Sequence, residues 1–258
     1  NFIIGFGPNG NTVQARIGGR MGDMYGRVFQ RVEDPSSPFF GEIIFDSNGL
    51  PVITEDVERI GNYNPDWMAG LHNGFRLGDF SLDVLLDFRY GGRIYSYTRA
   101  TGSEGGILEH TLDGRPGFGG LEYTDSQGNT RQDGIVGEGV LQNSDGTYRE
   151  NDIIVDVRSF YTNYYRRNNI ESNSFDATYL KLREVKFGYR IPRRLFGSNT
   201  AIRSMKISAI GRNLFLWTDV PNIDPESFAM NGGTLVPGFE VTQLPSTRSF
   251  GLNLNVEF

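Results

Sequence analysis

The side chains that usually carry catalysis or bind transition metals are scarce in this sequence. Cysteine is absent, and the two histidines, His72 and His110, lie far apart along the chain. Without cysteine there is no thiolate nucleophile and no Cys-ligated zinc, and two separated histidines give no metal-ligand spacing. Carboxylates are plentiful, but none has a catalytic partner whose position follows from the sequence. The sequence therefore predicts no enzyme activity, no cofactor and no metal site.

Two glycine-containing segments match ligand-binding motifs only formally. The segment GFGPNG (5–10) fits the dinucleotide pattern G-x-G-x-x-G, but Pro8-Asn9-Gly10 favours a turn where that fold needs a helix. The segment NSDGTYREND (143–152) spaces oxygen-bearing side chains like a calcium loop, yet it lacks the glycine and the glutamate which that loop requires. We predict a turn at both places, the second within a hairpin.

Composition limits the partners of the chain. A net charge of −6 gives no support to nucleic-acid binding. No run of apolar residues has the length of a membrane-spanning helix. Barrel strands carry their apolar residues at every second position, so composition alone leaves a membrane location open.

The last residues, RSFGLNLNVEF (248–258), alternate between apolar and small or polar side chains. The apolar positions are Phe250, Leu252, Leu254, Val256 and Phe258. Such alternation predicts a strand with two unlike faces. In a soluble sandwich the apolar face would pack on a core, whereas in an outer-membrane barrel it would contact lipid and the polar face would contact a wet lumen.

Residues 66–91 carry the clearest hairpin signal, two alternating runs joined by Gly78-Asp79. The second run has apolar residues at one parity, namely Phe80, Leu82, Val84, Leu86, Phe88 and Tyr90. The other parity carries Asp83, Asp87 and Arg89, which are too many charges for a sandwich core. We predict that these charged residues face a solvated lumen and that the apolar face contacts lipid.

The predicted strands are joined by connections of unequal length. Residues 98–178 are rich in Gly, Asp, Asn and Ser, residues 218–245 form a second loop, and residues 193–200 form a short turn. Long loops at one end and short turns at the other are typical of outer-membrane barrels. The sequence thus predicts an all-β, antiparallel transmembrane barrel in which 98–178 and 218–245 are extracellular loops.

Aromatic and basic residues concentrate in one segment of the longer loop, DVRSFYTNYYRRNN (156–169). One interpretation is a short helix or strand that packs its aromatic side chains on neighbouring loops. The other is a contact surface, because tyrosine and arginine are enriched where proteins bind partners; sugar stacking by the same tyrosines is a further alternative. The candidates for ligand or partner contact are Tyr161, Tyr164, Tyr165 and Arg166.

Longer segments carry a more specific signal. In chain order they are GDMYGRVFQRV, DSNGLPV, IGNYNPDWMAGLHNGFRLGDFSLDVLLDFRYGGRIYS, YLKLREVKFGYRIPRRLF, SAIGRNLFLWTDVPNIDPE and LPSTRSFGLNLNVEF. Their order and spacing resemble the late barrel of SusC/RagA-type TonB-dependent outer-membrane transporters over nearly the whole chain. Residues 98–178 are the least characteristic part.

That resemblance implies a barrel of about 22 strands with an N-terminal plug. It implies import of nutrients, commonly oligosaccharides or peptides, with energy from the TonB-ExbB-ExbD system and a SusD-type surface lipoprotein as a lid. It also implies a multi-pass β-barrel in the outer membrane of a Gram-negative bacterium. No plug or TonB-contact segment occurs in the sequence, so we expect residues 1–258 to be the C-terminal part of a larger transporter.

The terminal strand resembles the signal that the barrel-assembly machinery recognises, which would explain the final Phe258. About eight segments have strand length, too few to close a barrel of this family. We expect the strands to run in order along one side of a wide barrel, with Gly251 and Asn253 inward and Leu252 and Leu254 outward.

Two other classes of protein remain open. One is a self-contained outer-membrane barrel of about eight strands that acts as an adhesin or structural protein. The other is a secreted carbohydrate-binding β-sandwich, which would use the loop tyrosines to stack on sugars. A sandwich would dissolve in buffer, whereas either barrel would need detergent.

Overall fold

A computed structural model describes residues 2–196, 201–231 and 234–258. They form two compact units, which we call the sheet unit (Pro65–Gly92, Asp176–Glu226 and Leu244–Phe258) and the mixed unit (Asn1–Asn64, Arg93–Phe175 and Ser227–Gln243). Strands account for 48% of the residues and helices for 11%, which confirms a mostly antiparallel β protein. No helix in the described ranges has the length and apolar character needed to cross a membrane.

Among the described residues most elements are strands, and two short helices interrupt them. The strands before the first helix are β1 (Phe2–Phe6), β2 (Thr12–Ala15), β3 (Asp23–Gly26), β4 (Ile44–Phe45), β5 (Glu58–Asn62), β6 (Trp67–Leu77), β7 (Phe80–Tyr90) and β8 (Arg93–Ser96). Then come α1 (Tyr97–Glu104), β9 (Leu121–Thr124), β10 (Thr130–Ile135), β11 (Val140–Gln142), β12 (Tyr148–Glu150), β13 (Val155–Asp156), α2 (Val157–Tyr164) and β14 (Ser174–Asp176). The last strands are β15 (Tyr179–Ile191), β16 (Ser204–Thr218), β17 (Ala229–Asn231), β18 (Thr234–Val236), β19 (Phe239–Glu240) and β20 (Ser249–Glu257). Short 3₁₀ turns lie at Pro8–Gly10, Glu109–Leu112 and Arg193–Leu195.

The long strands of the sheet unit form one antiparallel sheet in the order β20-β16-β15-β7-β6. The predicted hairpin is confirmed as β6 and β7, whose register runs from Trp67 opposite Tyr90 to Leu77 opposite Phe80. Gly78 has a φ of 59°, the left-handed value that a type II′ turn requires at its first central residue. The residue after β15 is Pro192, which cannot donate to the ladder and ends the strand as predicted.

The edges of this sheet differ from those of a closed small barrel. Within the part of the chain that the structure describes, β20 pairs only with β16, and β1 pairs with β2. Pairing between the last strand and the first, which a closed small barrel would need, is not present among these residues.

A bulge decides which side chains of β15 share a face. Leu182 is opposite Leu86 of β7 and Glu184 is opposite the neighbouring Leu85, so Arg183 is the extra residue. Because a bulge shifts the alternation by one position, Leu182 lies on one face while Arg183 and Glu184 both lie on the other.

The sheet has one apolar and one polar face, since directly opposed residues of antiparallel strands share a face. The large exposed side chains of the apolar face are Trp67, Leu71, Phe75, Leu77, Phe80, Tyr90, Phe187, Ile207, Phe215, Trp217, Phe250, Leu252 and Leu254. Asp83, Asp87 and Arg89 lie on the opposite face, together with Gly251 and Asn253. The alternation therefore predicted the two sets of side chains correctly.

The mixed unit has its own apolar core. Its buried clusters are Val13, Met24, Tyr95, Ile170, Ala229, Val236 and Phe239; Phe45, Leu141, Val155, Phe160 and Tyr161; and Val32, Ile44 and Val140. Residues of 98–178 take part in each cluster, so this segment is an integral part of the unit rather than an irregular loop. Its strands are too short for their alternation to be recognised from the sequence.

The turn predictions are confirmed where the structure describes them. Pro8–Gly10 forms a 3₁₀ turn between β1 and β2. The segment 143–152 contains the β11–β12 hairpin turn, in which Asp145 Oδ1 accepts a hydrogen bond from the Thr147 amide at 3.0 Å. Part of the predicted turn 193–200 and part of the loop 218–245 lie outside the described residues.

Candidate functional site

Opposed charges meet at one end of the polar face of the sheet. Lys181 of β15 lies opposite Asp87 of β7, and the bulged Arg183 lies beside them. Arg183 donates two hydrogen bonds to Asp87, from Nε at 3.0 Å and from Nη2 at 2.5 Å. The bulge is what allows this contact, because it turns Arg183 onto the face that carries Asp87.

The segment that follows β16 contributes two further acids through its NIDPE motif. Lys181 Nζ donates to both carboxylate oxygens of Asp224, at 2.7 and 2.8 Å. Glu226 accepts hydrogen bonds from Lys181, from Arg183 and, at 2.7 Å, from the hydroxyl of Tyr179. The motif thus brings two carboxylates to two basic residues of β15. We call Asp87, Tyr179, Lys181, Arg183, Asp224 and Glu226 the charge network.

The charge network is partly withdrawn from water. Lys181 is only 4% exposed, and its ion pairs with Asp224 and Glu226 offset the cost of burying the ammonium group. Burial alone would raise the pKa of Glu226, but the hydrogen bonds from its basic partners and from Tyr179 outweigh burial and hold this pKa at about 2. Glu226 is therefore a carboxylate at neutral pH.

The predicted lumen-facing residues occupy different positions along the polar face. Asp87 belongs to the charge network. Asp83 lies opposite Lys186, and its Oδ1 is 3.9 Å from Nε2 of His72. Arg89 lies opposite Tyr179, next to the network. Contact of these side chains with a wet lumen stays a prediction.

Sequence reasoning missed five members of this site: Tyr179, Lys181, Arg183, Asp224 and Glu226. A signal was present, because KLRE places charges at 181, 183 and 184, and the last two cannot both follow strict alternation. Adjacent charges inside an otherwise alternating strand indicate a bulge. The acids of NIDPE were visible in the sequence as well, but nothing local indicated which basic residues they bind.

The tyrosine-rich segment forms helix α2. Asp156 caps it by accepting a hydrogen bond from the Ser159 amide at 2.8 Å. Tyr161 is buried, and its hydroxyl donates to the carbonyl of His110 at 2.6 Å. Its ring stacks on that of Tyr165, four residues later, with centroids 6.0 Å apart.

The remaining candidates of this segment also contact the protein itself. The ring centroid of half-buried Tyr164 lies 4.7 Å from that of Phe29. Arg166 donates to the carbonyls of Asn163 at 2.9 Å and Pro51 at 3.2 Å. These contacts favour the packing interpretation for most of the set, and contact with a ligand or partner stays a prediction.

His110 is a packed, neutral side chain. Burial, with a smaller contribution from the positive charge of Arg99, lowers the pKa of His110 to about 4. Its Nε2 lies 3.0 Å from Oγ of Ser103, and its ring lies 4.9 Å from that of Tyr165. His110 thus contributes to the packing around α2.

The residues of the predicted assembly signal lie at the edge of the sheet. Leu252 is opposite Ala209 and Leu254 is opposite Ile207. Phe250 is exposed on the same apolar face, and Phe258 is exposed just after β20. An exposed apolar face of this extent marks contact with a membrane or another protein, and recognition by the barrel-assembly machinery stays a prediction.

Comparison with known proteins gives relatives of one kind. No protein-family model matches the chain. TonB-dependent receptor P3 of Formosa agariphila is 24% identical over 229 residues, which cover 87% of this chain and 19% of that protein. TonB-dependent receptor P26 of the same organism is 33% identical over 86 residues, which cover 32% of this chain and 9% of that protein.

Solved structures give the same result at the level of the fold. The RagAB peptide importer in its open-open state matches with a TM-score of 0.55 at 14% identity, over 96% of this chain and 25% of that chain. Its closed-closed state matches with a TM-score of 0.52 at 15% identity, over 92% of this chain and 24% of that chain. The chain therefore spans about a quarter or less of the length of these relatives. The resemblance to SusC/RagA-type TonB-dependent transporters is confirmed.

Proposed function

We propose that this chain is part of a TonB-dependent importer of the outer membrane, in which the sheet unit forms a section of the barrel wall. The observation that carries the proposal is the sequential antiparallel sheet, which has a large exposed apolar face and a charged opposite face. Lipid against the apolar face and water against the charged face would satisfy both faces at once. Similarity to TonB-dependent receptors along most of the chain supports the same function.

In this proposal the rest of the barrel, about 22 strands in all, closes the wall, because hydrocarbon cannot satisfy the unpaired backbone groups of an open sheet edge. The barrel-assembly machinery inserts the protein into the lipid bilayer of a Gram-negative outer membrane. The segments 98–178 and 218–245 face the cell exterior, where they contact a SusD-type lipoprotein. The cargo is a nutrient of the oligosaccharide or peptide class, and the TonB-ExbB-ExbD system supplies the energy.

Fractionation and growth test this proposal together. We expect the full-length protein in the outer-membrane fraction, extractable only with detergent. Deletion of its gene and deletion of tonB should abolish growth on the same nutrient in a screen of oligosaccharides and peptides. Recovery in buffer without detergent would favour the secreted sandwich instead. Normal growth of the deletion strain on every nutrient that requires tonB would favour the adhesin.

A further inference from the structure

The mixed unit contains a pocket outside the charge network. Of the site residues predicted from the sequence, Tyr161 is the one that lines it. Its volume is 490 Å³, within the range of about 300–1,000 Å³ that is usual for small-molecule sites. The side chains and backbone that matter here are Glu104, Gly106, Arg115, Asp133, Arg158 and Tyr161. We propose that this pocket binds a carboxylate-bearing ligand.

The two acids of the pocket, Glu104 and Asp133, form ion pairs with arginines that lie outside the pocket. Glu104 accepts hydrogen bonds from Arg167, from Nε at 2.7 Å and from the amide at 3.2 Å. Asp133 accepts hydrogen bonds from Nε and Nη2 of Arg131 at 3.3 and 3.0 Å. Neither Arg131 nor Arg167 lines the pocket, so the acids repel an incoming anion far less than their formal charges suggest.

The two arginines of the pocket are not neutralised in this way. Arg115 donates to the carbonyl of Thr111 from Nε at 2.9 Å and to that of Gly106 from Nη2 at 2.6 Å. Carbonyls orient a guanidinium but do not cancel its charge. Arg158 is exposed on α2 and, among the described residues, has no carboxylate within ion-pair distance. The pocket therefore presents two uncompensated positive charges.

Backbone geometry holds one of these arginines in place. Gly106 has a φ of +65°, and a Cβ atom added there would lie 2.6 Å from Nη2 of Arg115. Any other side chain would be strained in this left-handed conformation, and its Cβ atom would force the guanidinium to shift. The loop after α1 is therefore shaped to hold Arg115 at the pocket.

Tyr161 supplies the apolar part of the pocket. Its hydroxyl is engaged by the carbonyl of His110 and its ring is mostly buried, so only the exposed margin of the ring, together with Val157, gives the pocket apolar surface. Arginine binds carboxylates through paired N–H groups, and an aromatic ring suits a sugar ring or an aliphatic chain. The ligand is thus a carboxylate on a small organic body, either a uronate unit of an oligosaccharide or a carboxylate of a short peptide. As a nutrient-recognition site, the pocket rests on the proposed import function.

Calorimetric titration of the purified full-length protein in detergent tests the site. The probes are a glucuronate-containing disaccharide, an acidic dipeptide, and their neutral methyl-ester counterparts. We expect one acidic probe to bind and its ester to bind at least about tenfold more weakly, the loss expected for one charge-assisted hydrogen bond. Arg158→Gln should weaken binding of the acidic probe by a similar factor. Arg149→Gln should leave binding unchanged, since Arg149 is an exposed arginine of the same unit outside this pocket.

Three results would overturn the site: no binding of either acidic probe to the wild-type protein, equal affinity in Arg158→Gln, or equal losses in both arginine variants. Because Arg158 is exposed, its substitution leaves the fold intact, and near-ultraviolet circular dichroism verifies this. Growth assays separate the two proposals. If Arg158→Gln weakens binding as expected while uptake does not need TonB, the site stands and the import function fails. If uptake needs TonB and Arg158→Gln binds the acidic probe as tightly as the wild-type protein does, the import function stands and the site fails.

Discussion

Lys181 is nearly inaccessible to water, and the acids that bind its ammonium group lie more than forty positions along the chain, Asp224 at a separation of 43 residues and Glu226 at 45. This arrangement makes the segment after β16 a fixed part of the sheet unit rather than a free connection. Glu226 is the member that binds both basic residues and Tyr179, so it is the residue whose loss should matter most.

We expect Glu226→Gln to lower the free energy of unfolding of the sheet unit by about 1–3 kcal/mol, because charge-assisted hydrogen bonds to Lys181 and Arg183 are lost. Partial screening of the carboxylate by solvent keeps the loss within this range. Urea unfolding in detergent and protease cleavage within 219–226 measure the effect. Asp219→Asn is the matched control, since exposed Asp219 lies in the same connection and contacts no basic group among the described residues. Equal midpoints for the two variants would contradict the assigned role.

The same group gives a pH dependence of known sign. The pKa of Glu226 is about 2 in the folded protein, below its ordinary value of 4.5. The stabilisation is therefore complete above pH 4.5 and is lost as the pH falls towards 2. Glu226→Gln should remove this part of the acid sensitivity.

At the scale of the element, adjacent residues in the middle of β7 lie on opposite faces of the sheet. Val84 lies opposite Asn73 and Val185 on the apolar face, whereas Leu85 lies opposite His72 and Glu184 on the polar face. Two substitutions by the same residue at adjacent positions can therefore distinguish the proposed lipid-facing side of the strand from the proposed lumen-facing side.

We expect Val84→Arg to impair assembly, because a cation on the lipid face costs about 2–4 kcal/mol near the middle of the bilayer. Leu85→Arg places the same cation beside Glu184 on the polar face and should assemble, as should Asp83→Ala. The folded fraction in the outer membrane, measured by heat-modifiable gel migration, reports the outcome. Equal yields of Val84→Arg and Leu85→Arg would refute the assignment of the faces.

For the molecule as a whole, the proposed lid lipoprotein would meet the exterior segments of the mixed unit. Deleting 98–178 is not an informative test, because this segment contributes Ile170, Leu141 and Val140 to the three buried clusters. Insertions at exposed turns avoid this problem. The turns at 126–127 and 144–145 are exposed and lie inside the segment.

We expect a bulky epitope inserted at 126–127 or at 144–145 to reduce co-purification of the SusD-type lipoprotein with the full-length protein, because it blocks close approach of the lid. The control is the same epitope at 35–36, an exposed turn of the mixed unit outside 98–178. Co-purification that is unchanged by both test insertions would argue against lid contact by this segment.

The sequence by itself determined the hairpin of β6 and β7, the end of β15 at Pro192 and the two faces of β20. These features follow from period-two alternation and turn chemistry, which are properties of adjacent residues. Only the tertiary structure decided that Arg183 and Asp87 share a face, that the acids of NIDPE bind Lys181, and that 98–178 builds a core with residues such as Phe45. The adjacent charges of KLRE indicate a bulge, but they do not identify the partner of Arg183. The other outcomes depend on contacts between residues distant in sequence, for which short strands and scattered charges carry no local pattern.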